Sequence, residues 1–115
     1  LFRSSMAMNG DHYAYRVRWS GEDEAYVATV AEMPSLSWIA DSQVEALLGL
    51  QNLIAGVLED MKESGETPPV PLADRVYSGK FMVRIPPETH RALAIEAAEQ
   101  NVSLNRLVTS RLAGA

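Results

Sequence analysis

An α+β fold is predicted for this 115-residue chain by three observations. Short stretches between residues 13 and 40 alternate apolar and polar side chains at the period of a strand, and a long run after residue 42 repeats at the period of a helix. A proline cluster at residues 68–71 then separates these from a tail that reads strand, helix, helix. The first half is an antiparallel β-meander packed on one long helix, and the tail is a second, smaller domain.

In residues 13–19, Tyr13, Tyr15, Val17 and Trp19 fall on one side and Ala14, Arg16 and Arg18 on the other, the pattern of a half-buried strand. Ser20-Gly21-Glu22-Asp23-Glu24 is a turn by composition, and residues 25–30 return as a β-branched and aromatic run, so the pair forms a hairpin. After Met33-Pro34-Ser35, residues 36–40 supply the third strand.

Ser42-Gln43-Val44-Glu45 matches the capping box, in which the serine hydroxyl takes an orphan amide of the first turn and the glutamate reaches back to the cap. Val44, Leu47, Leu48, Ile54, Leu58 and Met61 follow at helical spacing, and Gly65 supplies the left-handed stop. The helix so bounded has about 23 residues and a length of roughly 34 Å. Gly49 and Gly56 lie on it, each costing about 1 kcal/mol against alanine. They read as a face for close backbone approach, with incidental glycines as the alternative.

Thr67-Pro68-Pro69-Val70-Pro71 removes donors and fixes φ, so neither helix nor central strand continues through it. A short stiff spacer explains this string with less than a groove-binding ligand does. Residues 67–79 are therefore expected to be a Pro-rich linker, or an edge strand over residues 74–77. Residues 80–85 alternate again. Pro86-Pro87 breaks that strand and opens a helix over residues 88–100, on which His90, Leu93, Ala94 and Ala97 recur at helical spacing. Asn101 stops it, and Ser103 caps a second helix over residues 104–112 with Leu104, Leu107, Val108 and Leu112 as its apolar stripe. The expected domains are thus an N-terminal tail (1–12), a meander-and-helix domain (13–66), the linker (67–79) and the strand-helix-helix tail (80–115).

Composition narrows the chemistry. Without cysteine there is no disulfide framework, no thiolate nucleophile and no zinc site built on sulfur, which agrees with a cytoplasmic location. No apolar run approaches the roughly 18 residues of a membrane span. Residues 1–5 lack the apolar core and cleavage context of a secretory signal, and the leucine at position 1 reads as a trimmed end. The formal net charge of −5 hides an asymmetry. Residues 1–76 carry five basic and twelve acidic side chains, whereas residues 77–115 carry five basic and three acidic. The acidic part suits a basic protein partner, and the mildly basic tail suits phosphates, above all when two copies come together.

A unit of about 36 residues is too small to bury a core alone, and its single strand is open on both edges. The simplest solution is a two-fold dimer in which two copies of residues 80–85 pair antiparallel and four helices close over Phe81, Val83 and Ile85. The other face of that ribbon shows Lys80, Met82 and Arg84 from each chain. A two-stranded ribbon fits the major groove of DNA, lysine and arginine donate to guanine O6 and N7, and methionine lies against a thymine methyl. The start of the last helix, Ser103-Leu104-Asn105, offers free amides to a phosphate. Lys80, Met82 and Arg84 are thus the expected base contacts, and Ser103, Leu104 and Asn105 the expected phosphate contacts.

With these residues in place, 79–112 resemble the ribbon-helix-helix domain of bacterial repressors and antitoxins. Ser78-Gly79-Lys80, Arg84-Ile85-Pro86, Thr89-His90 and Ser103-Leu104-Asn105 resemble the tail of HicB-type antitoxins in particular. The likeness extends to the first half through Glu22-Asp23-Glu24-Ala25-Tyr26-Val27-Ala28, Met33-Pro34-Ser35-Leu36, Asp41-Ser42, Glu45-Ala46-Leu47 and Gly65-Glu66-Thr67-Pro68. It departs at Ala25 and at Ile39-Ala40-Asp41, where the family often carries glycine. The resemblance implies a partial ribonuclease-H-like N-terminal domain and a cytoplasmic antitoxin of a toxin-antitoxin system. Such a protein neutralises a HicA-type, mRNA-cleaving toxin and represses its own operon by binding operator DNA as a homodimer; whether dimers pair into tetramers is open. The acidic hairpin tip Glu22, Asp23 and Glu24 is the expected toxin contact.

A ribonuclease-H-like shape raises metal-dependent hydrolysis, which needs carboxylates converging on one ion. The first strand has no acid, and Glu22, Asp23 and Glu24 are consecutive in a turn, so their side chains diverge. No serine has a base near it in sequence, and no glycine-rich phosphate loop is present. His12 falls in the tail, and His90 reads as a packing or capping residue. No enzyme, metal or cofactor is expected. The alternative function is a stand-alone ribbon-helix-helix repressor whose N-terminal domain senses a small molecule.

Overall fold

The computed structural model describes residues 9–114. Strands β1 (Tyr15–Ser20), β2 (Ala25–Val30) and β3 (Ser37–Ala40) form one antiparallel sheet in the order β1-β2-β3. Tyr15 lies opposite Val30 and Trp19 opposite Tyr26, while Tyr26 and Thr29 of β2 face Ala40 and Ser37 of β3. Side chains alternate across a strand, so Tyr15 and Val17 share with Ala28 and Val30 the face that a helix covers, and Arg16 and Arg18 lie exposed on the other.

That helix, α1 (Gln43–Ser64), begins at Ser42, whose Oγ accepts the Glu45 amide at 3.1 Å, and ends at Gly65 with φ of 77°. Both ends follow from local chemistry: an oxygen for an orphan amide, and a residue without Cβ where the chain turns left-handed. The core consists of Tyr13, Ala28, Val30, Met33, Ala46, Leu50 and Ile54, with Leu53, Val57, Leu58 and Met61 packed around it. The buried stripe differs from the expected one, since Val44 and Leu48 are exposed. Ala46 and Leu50 stand two residues further on, about 200° round the helix, and the small Ala46 lets the backbone close on the sheet. Trp19, expected inward, is also exposed and meets Tyr26 edge-on at 5.2 Å between ring centroids.

Residues 9–12 were expected as tail but form a 3-10 turn, Asn9–His12, against α1. The Tyr15 hydroxyl donates to the Gly10 carbonyl at 2.8 Å, and a Cβ on Gly10 would stand 3.3 Å from both Ile54 and Leu58. The rest of the expected tail, residues 1–8, lies outside the described residues.

No edge strand forms over residues 74–77; a 3-10 turn, Leu72–Asp74, occupies part of this stretch. Pro68, Pro69 and Pro71 have no N–H for a ladder, so side chains hold the segment instead. The Tyr13 hydroxyl donates to the Pro69 carbonyl at 2.8 Å, the Leu72 amide donates to Glu32 Oε2 at 2.9 Å, and His12 Nδ1 lies 2.7 Å from Asp74 Oδ2. Pro71 is buried. Glu32 also accepts the Ala14 amide at 2.9 Å. Desolvation raises the Glu32 carboxyl, but the amides of Leu72, Ala14 and Glu32 itself, with the Arg75 charge, outweigh it and hold the group below its ordinary value. Burial pushes the Tyr13 phenol up, and the Glu32 carboxylate adds to that shift.

The chain divides after Tyr77 into two compact units. In the second, α2 (Pro87–Glu99) starts at Pro87, where a missing N–H costs nothing, and Asn101 ends the turn with φ of 57°. The Ser103 hydroxyl caps α3 (Leu104–Ala113). Ala97 and Leu107 are the buried residues where α2 meets α3; Leu93 is half-buried, and His90, Ala94 and Leu112 are exposed. Residues 80–85 pair with no strand, because the single chain has none in this unit to offer.

Candidate nucleic-acid interface

The second unit starts from a turn set by Gly79, at φ of 81°, with the Lys80 amide donating to Ser78 Oγ at 3.1 Å. From there residues 80–86 run without a regular hydrogen-bond ladder. Phe81, Val83 and Ile85, expected inward, are 76%, 61% and 41% exposed, and Met82 is 87% exposed. Arg84 is exposed as well. An open groove of about 620 Å³ is lined by Phe81 and Val83 together with Leu104, Val108 and Leu112 of α3. Val83 and Phe81 thus share a side with the α3 stripe, and Met82 and Arg84 are not on that wall, as period-two alternation requires. Lys80 departs from the pattern, since it joins Asn105 on the groove wall.

At the start of α3, Ser103 Oγ accepts the Arg106 amide at 3.0 Å. The Leu104 and Asn105 amides remain as the open end of the helix, where an anion is favoured. Asn105 Oδ1 accepts the Thr109 hydroxyl at 3.2 Å, so the carboxamide oxygen is committed within the helix and the Asn105 NH2 is the group left to donate outward. The first turn of α3 contains no acid and carries Arg106, a cation that the sequence reading did not assign. Its signal was the position three residues after a serine cap. A second unassigned feature is the ion pair between Arg111 of α3 and Glu96 of α2, with Gln100 Nε2 donating to the same Glu96 oxygen at 3.2 Å. This pair links the two helices at the surface, beside the buried Ala97 and Leu107. The Glu96 and Gln100 half of it was readable as an i, i+4 contact.

In the first unit, Glu22, Asp23 and Glu24 form the exposed hairpin tip. The Ser20 hydroxyl donates to Asp23 Oδ2 at 2.9 Å, turning that carboxylate back onto the strand end, and Glu24 takes the left-handed φ of 49° that closes the loop. A hollow of about 180 Å³ lies between the first 3-10 turn and α1, lined by Gly10, Tyr15, Gln51, Ile54 and Leu58 among others. That is below the roughly 300 Å³ of small-molecule sites. Among the described residues no three of His, Asp and Glu stand together as metal ligands would, and no helix is long and apolar enough to cross a membrane.

No curated protein and no solved structure matches the chain. One family model does, over a span that opens on the last turns of α1 and continues through the proline segment, α2 and nearly all of α3: residues 58–112 match the model of the HicB family.

Proposed function

We propose that this chain is a HicB-type antitoxin, which represses its own operon through the second unit and neutralises a basic, HicA-type ribonuclease toxin through the first. The observation that carries the reading is the family match over residues 58–112, which spans the whole apolar row, the two helices and the serine-capped helix start. The exposure of Phe81, Val83 and Ile85 supports a ribbon-helix-helix homodimer, in which a second copy of residues 80–85 covers that row. Met82 and Arg84 then stand on the ribbon's outer face to read bases in the major groove. The open amides of Leu104 and Asn105, flanked by Arg106, grip phosphate. Twelve acidic against five basic side chains over residues 1–76 support a basic protein partner for the meander, whose architecture is compatible with a reduced ribonuclease-H-like domain.

The test joins both roles in one preparation. The full chain is mixed with the promoter fragment of its own operon and with any basic protein of under about 90 residues encoded beside it, the size range such a toxin is expected to occupy. Retention of the promoter fragment and suppression of the small protein's mRNA cleavage are the expected results. Failure of both overturns the proposal.

A further inference from the structure

The proline segment is fastened to the first unit by three side chains. The Tyr13 hydroxyl reaches the Pro69 carbonyl at 2.8 Å, Glu32 bridges the amides of Ala14 and Leu72 at 2.9 Å each, and His12 lies 2.7 Å from Asp74. Inside the segment, Arg75 Nε donates to the Val70 carbonyl and the Tyr77 hydroxyl to the Leu72 carbonyl, both at 3.0 Å, so it keeps its own curl. None of these bonds belongs to a β ladder. Pro71 is the segment's one buried side chain, and Val76 and Tyr77 are exposed. Few apolar contacts and a handful of side-chain bonds place a segment at the low end of local stability, well below the sheet and α1.

We propose that residues 66–77 form a reversible strap, and that its docking on Tyr13, Glu32 and His12 sets the length of the tether between the two units. Docked, it leaves Ser78 and Gly79 as the joint, a reach of about 7 Å. Released, it frees residues 66–79, which span up to about 50 Å when extended. The reach of one unit from the other is then controlled where Tyr13 and Glu32 hold the segment, at the end of β1 and β2 opposite the hairpin tip. A partner that needs the longer tether must first break the clasp, and one that needs the short tether is favoured by it.

The test uses the full chain with Tyr13→Phe, Glu32→Gln and His12→Ala combined. Hydrogen exchange should show the wild-type Leu72 and Asp74 amides protected relative to a free peptide, and the triple variant should speed them about tenfold or more, by a larger factor than it speeds the β2 and α1 amides. The chain has no cysteine, so spin labels at Glu59→Cys and Ala92→Cys report the tether directly. Their distance distribution should broaden towards longer values in the triple variant. Free-peptide exchange of Leu72 and Asp74 in the wild type overturns the proposal, as do unchanged rates in the variant or unchanged label distances once exchange has risen. Where the triple variant loosens β2 and α1, Tyr13→Phe alone, which keeps the ring in the core, is read by the same criteria.

Discussion

The indole of Trp38 lies against Gly49, so that a Cβ on this glycine would come within 2.5 Å of three atoms of the ring. β3 thus rests on α1 through a contact that only glycine permits. Gly56, one heptad later, has nothing within 4 Å of the same position. Gly49→Ala should therefore destabilise the first unit by about 1–2 kcal/mol, overpacking exceeding the gain in helix propensity. Gly56→Ala should stabilise it by about 0.5–1 kcal/mol. Urea midpoints of the two variants should move in opposite directions, and a shared sign would show that Trp38 swings aside freely.

Acid should weaken the meander through Glu32. Its carboxyl is held below the ordinary value in the folded chain although desolvation pulls it up, because amides of Leu72, Ala14 and Glu32 and the Arg75 charge favour the anion. A depressed folded value means that the carboxylate contributes stability above its unfolded pKa of about 4.3, and that this contribution is lost as pH falls through the folded value. Glu32→Gln should cost about 1 kcal/mol near neutrality, with solvent screening keeping it low. The gap between wild-type and variant denaturation midpoints should narrow as the pH is lowered through this range.

Self-association should reside in the second unit. Deleting residues 78–115 removes the exposed row Phe81, Val83 and Ile85 and should leave a form that sediments as a monomer and binds no operator, while still binding the basic partner. Phe81→Ser in the full chain should weaken the dimer without unfolding the meander, as read by sedimentation and circular dichroism.

Base reading and phosphate grip should separate by mutation. Arg84→Ala should lose about 1–3 kcal/mol of discrimination at matching positions of both half-sites. Asn105→Ala should give a smaller and nearly sequence-independent loss, since phosphate contacts position the protein without reading bases. Lys80 lines the groove beside Asn105, so Lys80→Ala should behave more like the phosphate class than Arg84→Ala does. Equal relaxation of specificity in Lys80→Ala and Arg84→Ala would restore strict alternation along residues 80–85.

Encounter with a basic partner should slow as salt rises, because exposed charges act mainly on the association rate and screening is about 10 Å at 0.1 M. Neutralising Glu22, Asp23 and Glu24 together tests the hairpin tip. A rate that keeps its salt dependence in that variant would move the steering charge to the acids of α1.

Local chemistry is legible in the amino-acid sequence itself. Ser42, Gly65, Asn101 and Ser103 act at the helix ends where their side chains or their φ place them, because a cap needs only its own few neighbours. Periodicity also found α1, but it gives the angle between residues and not which side meets the sheet, so Val44 and Leu48 stood where Ala46 and Leu50 belong. The Glu32 clasp was out of reach, as its donors Ala14 and Leu72 lie 18 and 40 residues away and neither carries a side-chain signal. Of the tail, Ser103 and the helix start were readable, whereas residues 80–85 alternate as a strand does but form none in the single chain.

An apolar row left bare on one copy also makes order depend on abundance. On the proposed pairing, the cover for Phe81, Val83 and Ile85 comes from another molecule, so the fraction of finished tails follows mass action and falls when the protein is scarce. Dilute chains then present a loose, sticky segment to proteases and chaperones, while concentrated chains hide it. The operon's repression would start only above a threshold of protein, and the same bare row would set how quickly the unassembled surplus is cleared.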